Sequence, residues 1–138
     1  MWLVLFLGLA WLQSRWLPAV DLGRTGDRLG LAIIALGLAI FGFAVVQFWR
    51  HQTTILPREV PGVLITTGMY RVSRNPIYLA DAMILAGCCL IWDAASLGLV
   101  PLFMAVITWR FIRGEEAGMR RAFGERFEHW AGRTRRWV

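Results

Sequence analysis

The chain has 138 residues, 57% of them hydrophobic and 17% charged. A soluble domain runs at roughly 45–50% apolar and about 25% charged residues, so the composition excludes a disordered chain and argues against a small soluble enzyme, which could not bury this much apolar surface. All 15 basic residues are arginine against nine acidic ones, a net charge of +6; a basic and strongly apolar chain fits the positive-inside rule of membrane proteins more simply than it fits nucleic acid.

The first apolar run is Met1–Leu12, continuing through Trp16 and Leu17. It lacks the basic start and small-residue cleavage site of a signal peptide. A span needs about 20 residues, so this one must extend to about Val20, with Arg15 snorkelling to an interface. The second run, Leu29–Trp49, is uncharged, with Gln47 as its one strongly polar residue and Trp49 and Arg50 at its exit, as interfacial anchors should be. Gly30, Gly37 and Ala44 recur every seventh residue, a small-residue stripe suited to close helix packing.

Residues 51–75 read as a connector with turns at Pro57, Pro61 and Gly68, partly immersed through Val63, Leu64 and Ile65. A loop this long in a small protein is usually functional or disordered. Asn75-Pro76 then opens the third run, Asn as N-cap and Pro as first helical residue. That run reaches Trp92; Asp93 follows, and a fourth run covers Ala94–Ile112, with Pro101 as a place to kink. Residues 76–112 therefore predict a tight antiparallel hairpin. In Glu115–Trp130, the residues Met119, Phe123, Phe127 and Trp130 share one helical face while Arg120, Arg121, Glu125 and Glu128 take the others. This predicts an amphipathic helix, followed by a basic tail at Arg133, Arg135 and Arg136 suited to lipid headgroups or to setting topology.

The expected fold is all-α: a polytopic membrane bundle of about four transmembrane helices plus a C-terminal amphipathic helix, in one domain. The segments after the second and fourth runs carry twelve arginines and the opposite side three, Arg15, Arg24 and Arg28. Both termini, the connector and the amphipathic helix are then cytoplasmic. The connector and the last helix share that face, where a cofactor pocket could form. Adjacent Cys88 and Cys89 lack metal-ligand spacing, His51 and His129 form no helical metal pair, and no triad is visible.

The connector ends in Leu64-Ile65-Thr66-Thr67-Gly68-Met69-Tyr70-Arg71-Val72-Ser73-Arg74-Asn75-Pro76-Ile77-Tyr78. After the hairpin come Glu115-Glu116, Phe123-Gly124, Phe127, Trp130 and Arg135-Arg136-Trp137. Together these resemble the isoprenylcysteine carboxyl methyltransferase family and its bacterial and phospholipid N-methyltransferase relatives, which are integral membrane enzymes. The resemblance implies S-adenosylmethionine as methyl donor and a cofactor site made of Leu64, Ile65, Tyr70, Asn75, Pro76, Ile77, Tyr78, Glu115 and Glu116. It also implies an arginine toward the substrate; the matching position falls near Phe111, so Arg110 or Arg113 would serve. Asn75 stands where many members have His and fits the bacterial pattern, which implies an inner-membrane location. Phe127 and Trp130 replace more frequent tyrosines. The implied acceptor is a lipophilic or small carboxylate, amine or thiol, with membrane lipids around it and no nucleic acid.

The residue types suit that chemistry. A Glu suits the cofactor's ammonium or ribose hydroxyls, an Arg its carboxylate, and aromatic faces its sulfonium. Each also has a plainer reading. Asn75-Pro76 opens many helices, the Glu pair complements a helix dipole, and a lone membrane Tyr usually sits in an interfacial belt. Asp81, about one turn into the third span, either caps or pairs with Arg74, or serves a substrate. The readings that compete with an enzyme are a non-catalytic assembly partner and, on Asp81 alone, a small transporter.

Overall fold

The computed structural model describes residues 1–50 and 62–138. The described residues form helices and turns with a single isolated bridge, Ser73 to Arg135. The helices are α1 (Trp2–Trp16), α2 (Gly23–Arg50), α3 (Pro76–Trp92), α4 (Leu99–Ile107), α5 (Arg113–Phe123) and α6 (Glu125–Ala131). Short 3-10 turns occupy Gly68–Arg71 and Ala94–Gly98, and a π-helical turn occupies Thr108–Ile112. Two helical stretches are long and apolar enough to cross a membrane, Gly23–Arg50 and Ala94–Phe123, and Pro76–Trp92 is a shorter apolar helix. The connector residues Thr53, Thr54, Pro57, Arg58 and Pro61, like His51, lie outside the described residues.

The hairpin begins and turns where the sequence places it. Pro76 is the first residue of α3 and fully buried, and Asp93 alone separates α3 from the next turn. Four expectations are corrected. The first helix stops at Trp16, short of Val20, because Pro18 disfavours helix at Leu17 and cannot continue one itself. At 15 residues it measures about 22 Å, less than a hydrocarbon core of about 30 Å. The second helix starts at Gly23, well before Leu29.

Pro101 kinks nothing, since it lies in the first turn of α4, where its missing N–H has no helical partner to lose. The irregularity comes later, in the π turn at Thr108–Ile112. Such a turn holds an extra residue and re-aims the helix that follows. Finally, the amphipathic stretch is not one helix from Glu115 to Trp130. Its first part, α5, continues from the fourth run, and Gly124 breaks it at φ 52, a conformation that side chains with a Cβ resist.

The chain divides into two compact units. The first comprises Met1–Ala39 and Ala80–Val106. Within it, the small-residue stripe does what its spacing predicts. A Cβ added to Gly30 would lie 2.5 Å from the Gly87 carbonyl, and one on Gly87 would lie 2.6 Å from the Gly30 carbonyl, so α2 and α3 meet backbone to backbone. Phe6 packs edge-on against Phe103, with ring centroids 5.3 Å apart. At the hairpin corner, the buried Asp93 carboxylate accepts from the backbone N–H groups of Ala19, Val20 and Ala95 and from the Gln13 amide. Gln13 in turn accepts from the Ser96 hydroxyl.

The second unit comprises Ile40–Leu79 and Ile107–Val138. Its apolar centre is Leu64, Ile65, Tyr70, Phe127 and Trp130, with Phe48, Met119 and Phe123 packed against it. All four residues of the amphipathic face therefore reach one cluster despite the break at Gly124. Burying this face is what holds the connector against α5 and α6.

Candidate functional site

The connector is shaped by one amide. Gln47, near the end of α2, donates from Nε2 to the Thr67 carbonyl (2.9 Å) and accepts the Met69 N–H at Oε1 (3.2 Å). Between those contacts Gly68 turns at φ 58, and a Cβ there would lie 2.2 Å from Gln47 Nε2. The one polar residue of the second run is thus a clasp that sets the 3-10 turn carrying Tyr70 and Arg71. Trp130 secures the same turn by donating its indole N–H to the Tyr70 carbonyl at 2.9 Å.

The turn delivers the chain to Ser73, Arg74 and Asn75, where the C-terminal tail straps across. The Arg74 N–H donates to the Arg135 carbonyl at 2.9 Å. The Ser73 hydroxyl and the Asn75 amide both donate to the Arg136 carbonyl. Trp137 donates its indole N–H to the Thr108 hydroxyl at 3.2 Å, in the π turn. Asn75 thus uses its side-chain amide to hold the tail, beyond the capping role read from the sequence. Arg136 points inward, not to lipid: its guanidinium grips Glu116 with both Nε (3.0 Å) and Nη2 (2.6 Å). Arg74 completes the group at 3.2 Å from Glu116, so its partner is Glu116 and not Asp81. The Glu116 hydrogen bond is the main cause holding Arg136 above its ordinary basicity, as a bidentate carboxylate pair should.

The predicted residues therefore separate into groups. Tyr78 and Glu115, 37 positions apart, are joined by a 2.8 Å hydrogen bond from the phenol to the carboxylate. The Phe111 ring lies beside Tyr78, centroids 6.3 Å apart. Burial, and behind it the Glu115 charge, raises the Tyr70 phenol above its ordinary pKa. Tyr70, Tyr78, Phe111 and Glu115 thus form one neighbourhood. Leu64 and Ile65 belong to the apolar cluster, and Ile77 is half-buried in the first turn of α3. Glu116 is held by its two arginines. Arg110 and Arg113 are exposed, Arg110 in the π turn and Arg113 at the start of α5.

Three contributors carry no sequence signal of their role: Gln47, Arg74 and Arg136. Arg74 belongs to the motif, yet its partner sits far along the chain. Its Nε is buried and has no hydrogen-bond partner among the described residues, an unsatisfied donor that ordinarily finds an acceptor. Among those residues no group of three or more metal-ligating side chains occurs.

No curated protein and no solved structure matches the chain. A family model described as phospholipid methyltransferase matches residues 27–126. The matched stretch holds both halves of the motif, from the Gly68 turn and Tyr78 to Glu115 and Phe123-Gly124, and stops short of the strap. On that match, which covers well over half of its length, the chain belongs to the phospholipid methyltransferase family.

Proposed function

We propose that the protein is an S-adenosylmethionine-dependent methyltransferase embedded in the membrane, acting on a lipophilic or small acceptor that offers a carboxylate, amine or thiol. The observation that carries this reading is the Tyr78–Glu115 bond, which joins the two halves of the motif. The residues fit the cofactor. Glu115 offers a carboxylate for its ammonium or ribose hydroxyls, and the unsatisfied Arg74 Nε–H suits its carboxylate. Tyr78 and Phe111 offer ring faces to a sulfonium, a contact of about 0.5–2 kcal/mol. When bound, S-adenosylmethionine supplies an activated methyl group. The chain's own work is then to orient the acceptor and exclude water; a carboxylate or thiolate acceptor needs no general base.

Leu64, Ile65 and Tyr70 of the apolar cluster, with Asn75, Pro76 and Ile77 at the start of α3, complete the proposed cofactor site. Glu116 acts through Arg74: by holding that guanidinium it positions the buried donor. Arg110 and Arg113, exposed near the π turn, stand available to an acceptor at the surface. The two long apolar stretches, Gly23–Arg50 and Ala94–Phe123, support membrane crossing, and we assign the shorter apolar helices α1 and α3 to the same four-segment bundle. The arginine asymmetry supports a cytoplasmic connector, strap and termini in a bacterial inner membrane.

The test is calorimetric titration of detergent-purified protein with S-adenosylhomocysteine. We expect saturable one-site binding, weakened about 10-fold or more in Glu115→Gln, the scale of a lost charge-assisted hydrogen bond. Tyr78→Phe should weaken it only a few-fold. Unchanged affinity in Glu115→Gln refutes the site. Absence of binding in folded, helical protein refutes the function and favours an assembly partner.

A further inference from the structure

The arginines of the second unit divide into two sets. Arg74 and Arg136 are engaged by Glu116, and Arg120 by Glu128. Arg71, Arg126 and Arg133 have no ion pair among the described residues. They come from three pieces of chain: the end of the 3-10 turn, the first turn of α6, and the segment just beyond α6. With His129 they line one cavity of about 520 Å³, which Thr66 and Thr134 also line. Among the described residues no acidic side chain lines it. The two acids on α6 do not offset the charge: Glu128 is held by Arg120, and Glu125 is exposed and outside the cavity.

Bringing three unpaired guanidinium groups to one cavity costs free energy through like-charge repulsion, which a bound anion removes. The donors also fit a particular anion. Three planar forks, two hydroxyls and an imidazole N–H suit the several oxygens of a phosphate group. The cavity far exceeds the volume of a bare phosphate. It is lined as well by Leu64 and Trp130 of the apolar cluster, so the phosphate would be carried on a larger, partly apolar body. Neither Tyr78 nor Glu115 lines the cavity, and His129 and Arg133 lie beyond the residues 27–126 matched by the family.

We infer that this cavity is an accessory site for a phosphate ester, adjoining the Tyr70 turn but lined by neither Tyr78 nor Glu115. Its source is either the headgroup of an anionic lipid or a soluble phosphate ester. The inference does not rest on the cofactor reading, because saturation by either phosphate probe is read with no cofactor present.

The experiment uses the full chain in neutral detergent, titrated with dioctanoyl phosphatidic acid and, in parallel, with glycerol 3-phosphate. Saturable binding of the lipid alone assigns the site to headgroups; equal binding of both assigns it to phosphate esters at large; either outcome supports the inference. Arg126→Gln/Arg133→Gln should weaken binding about 10-fold or more. Arg24→Gln/Arg28→Gln, which removes the same charge from exposed positions elsewhere, should leave it unchanged. Arg71→Gln provides an independent variant if the double one fails to fold. Equal weakening by both double variants would reduce the effect to general charge attraction and overturn the site. So would failure of both probes to saturate the folded protein, or displacement of the lipid by S-adenosylhomocysteine, which would give the cavity to the cofactor.

Discussion

Among the described residues each unit contains one deeply buried carboxylate, and the two are satisfied in opposite ways. Asp93, 2% exposed, is ringed by neutral dipoles: three backbone N–H groups and the Gln13 amide. Those partners belong to two short stretches of chain, and together they fix a corner. Glu116, 8% exposed, is gripped by two full positive charges, Arg74 and Arg136. Both are long side chains from distant parts of the sequence, and together they fasten a strap. Backbone donors are held in place by the fold itself, so they stabilise an ion with little further ordering. Guanidinium groups must be ordered at a cost in side-chain entropy, and their contact can be broken without unfolding a helix. The first arrangement suits a fixed joint and the second a clasp beside a binding site.

The most severe test of this contrast is Glu116→Gln. Removing one partner of a buried ion pair costs about 3–5 kcal/mol. The Arg136 side chain is 36% exposed and can rehydrate, so about 2–3 kcal/mol of stability should be lost in chemical unfolding in detergent. Stability equal to the parent would reduce the clasp to a surface pair. Gly68→Ala should follow at about 2 kcal/mol. The left-handed backbone costs about 1–2 kcal/mol for a residue with a Cβ, and the new methyl must also displace the Gln47 amide. In a Gln47→Ala background the steric part should vanish and only the backbone part remain. Arg136→Lys should cost less, about 1 kcal/mol, because the charge stays and only the two-pronged geometry is lost. If lysine costs as much as glutamine at this position, charge is not what Glu116 recognises.

The same contrast explains what could be read from the sequence. The start of α3 at Asn75-Pro76 and the corner at Asp93 are local events, punctuated by residues with strong conformational preferences. The Gly30 stripe is periodic, and periodicity survives without a structure. The end of α1 was also open to reading, since Pro18 stands two residues past Trp16. The change from apolar to charged residues near Arg113 suggests a helix boundary, yet backbone hydrogen bonding is indifferent to that change. The chain stays helical until Gly124, whose positive φ supplies the actual break. The clasp was not legible in this way. Arg136 and Glu116 lie 20 residues apart, Arg74 is farther still, and nothing local distinguishes these arginines from the ones that remain exposed. For the site itself, the motif marks Tyr78 and Glu115 as partners, while Gln47 declares itself only as a polar residue in an apolar run.

The last test is at the corner and comes from protons alone. The hydrogen bonds from Ala19 and Ala95, with those of Val20 and Gln13 behind them, hold Asp93 at about 2, against an ordinary 3.8. In the unfolded chain its carboxyl returns toward that ordinary value. The unfolded state therefore takes up this proton first as pH falls. Asp93 contributes its full stabilisation above about pH 4, loses it progressively as pH falls toward about 2, and contributes none below. The nine acidic residues give the parent an acid limb in any case, so the informative quantity is the difference between parent and Asp93→Asn. That difference should be constant from neutral pH down to about 4 and then narrow toward pH 2. A difference that stays constant through the acid range would mean that the corner is held by shape, and that any group of this size with two acceptor positions would serve there as well as a charge.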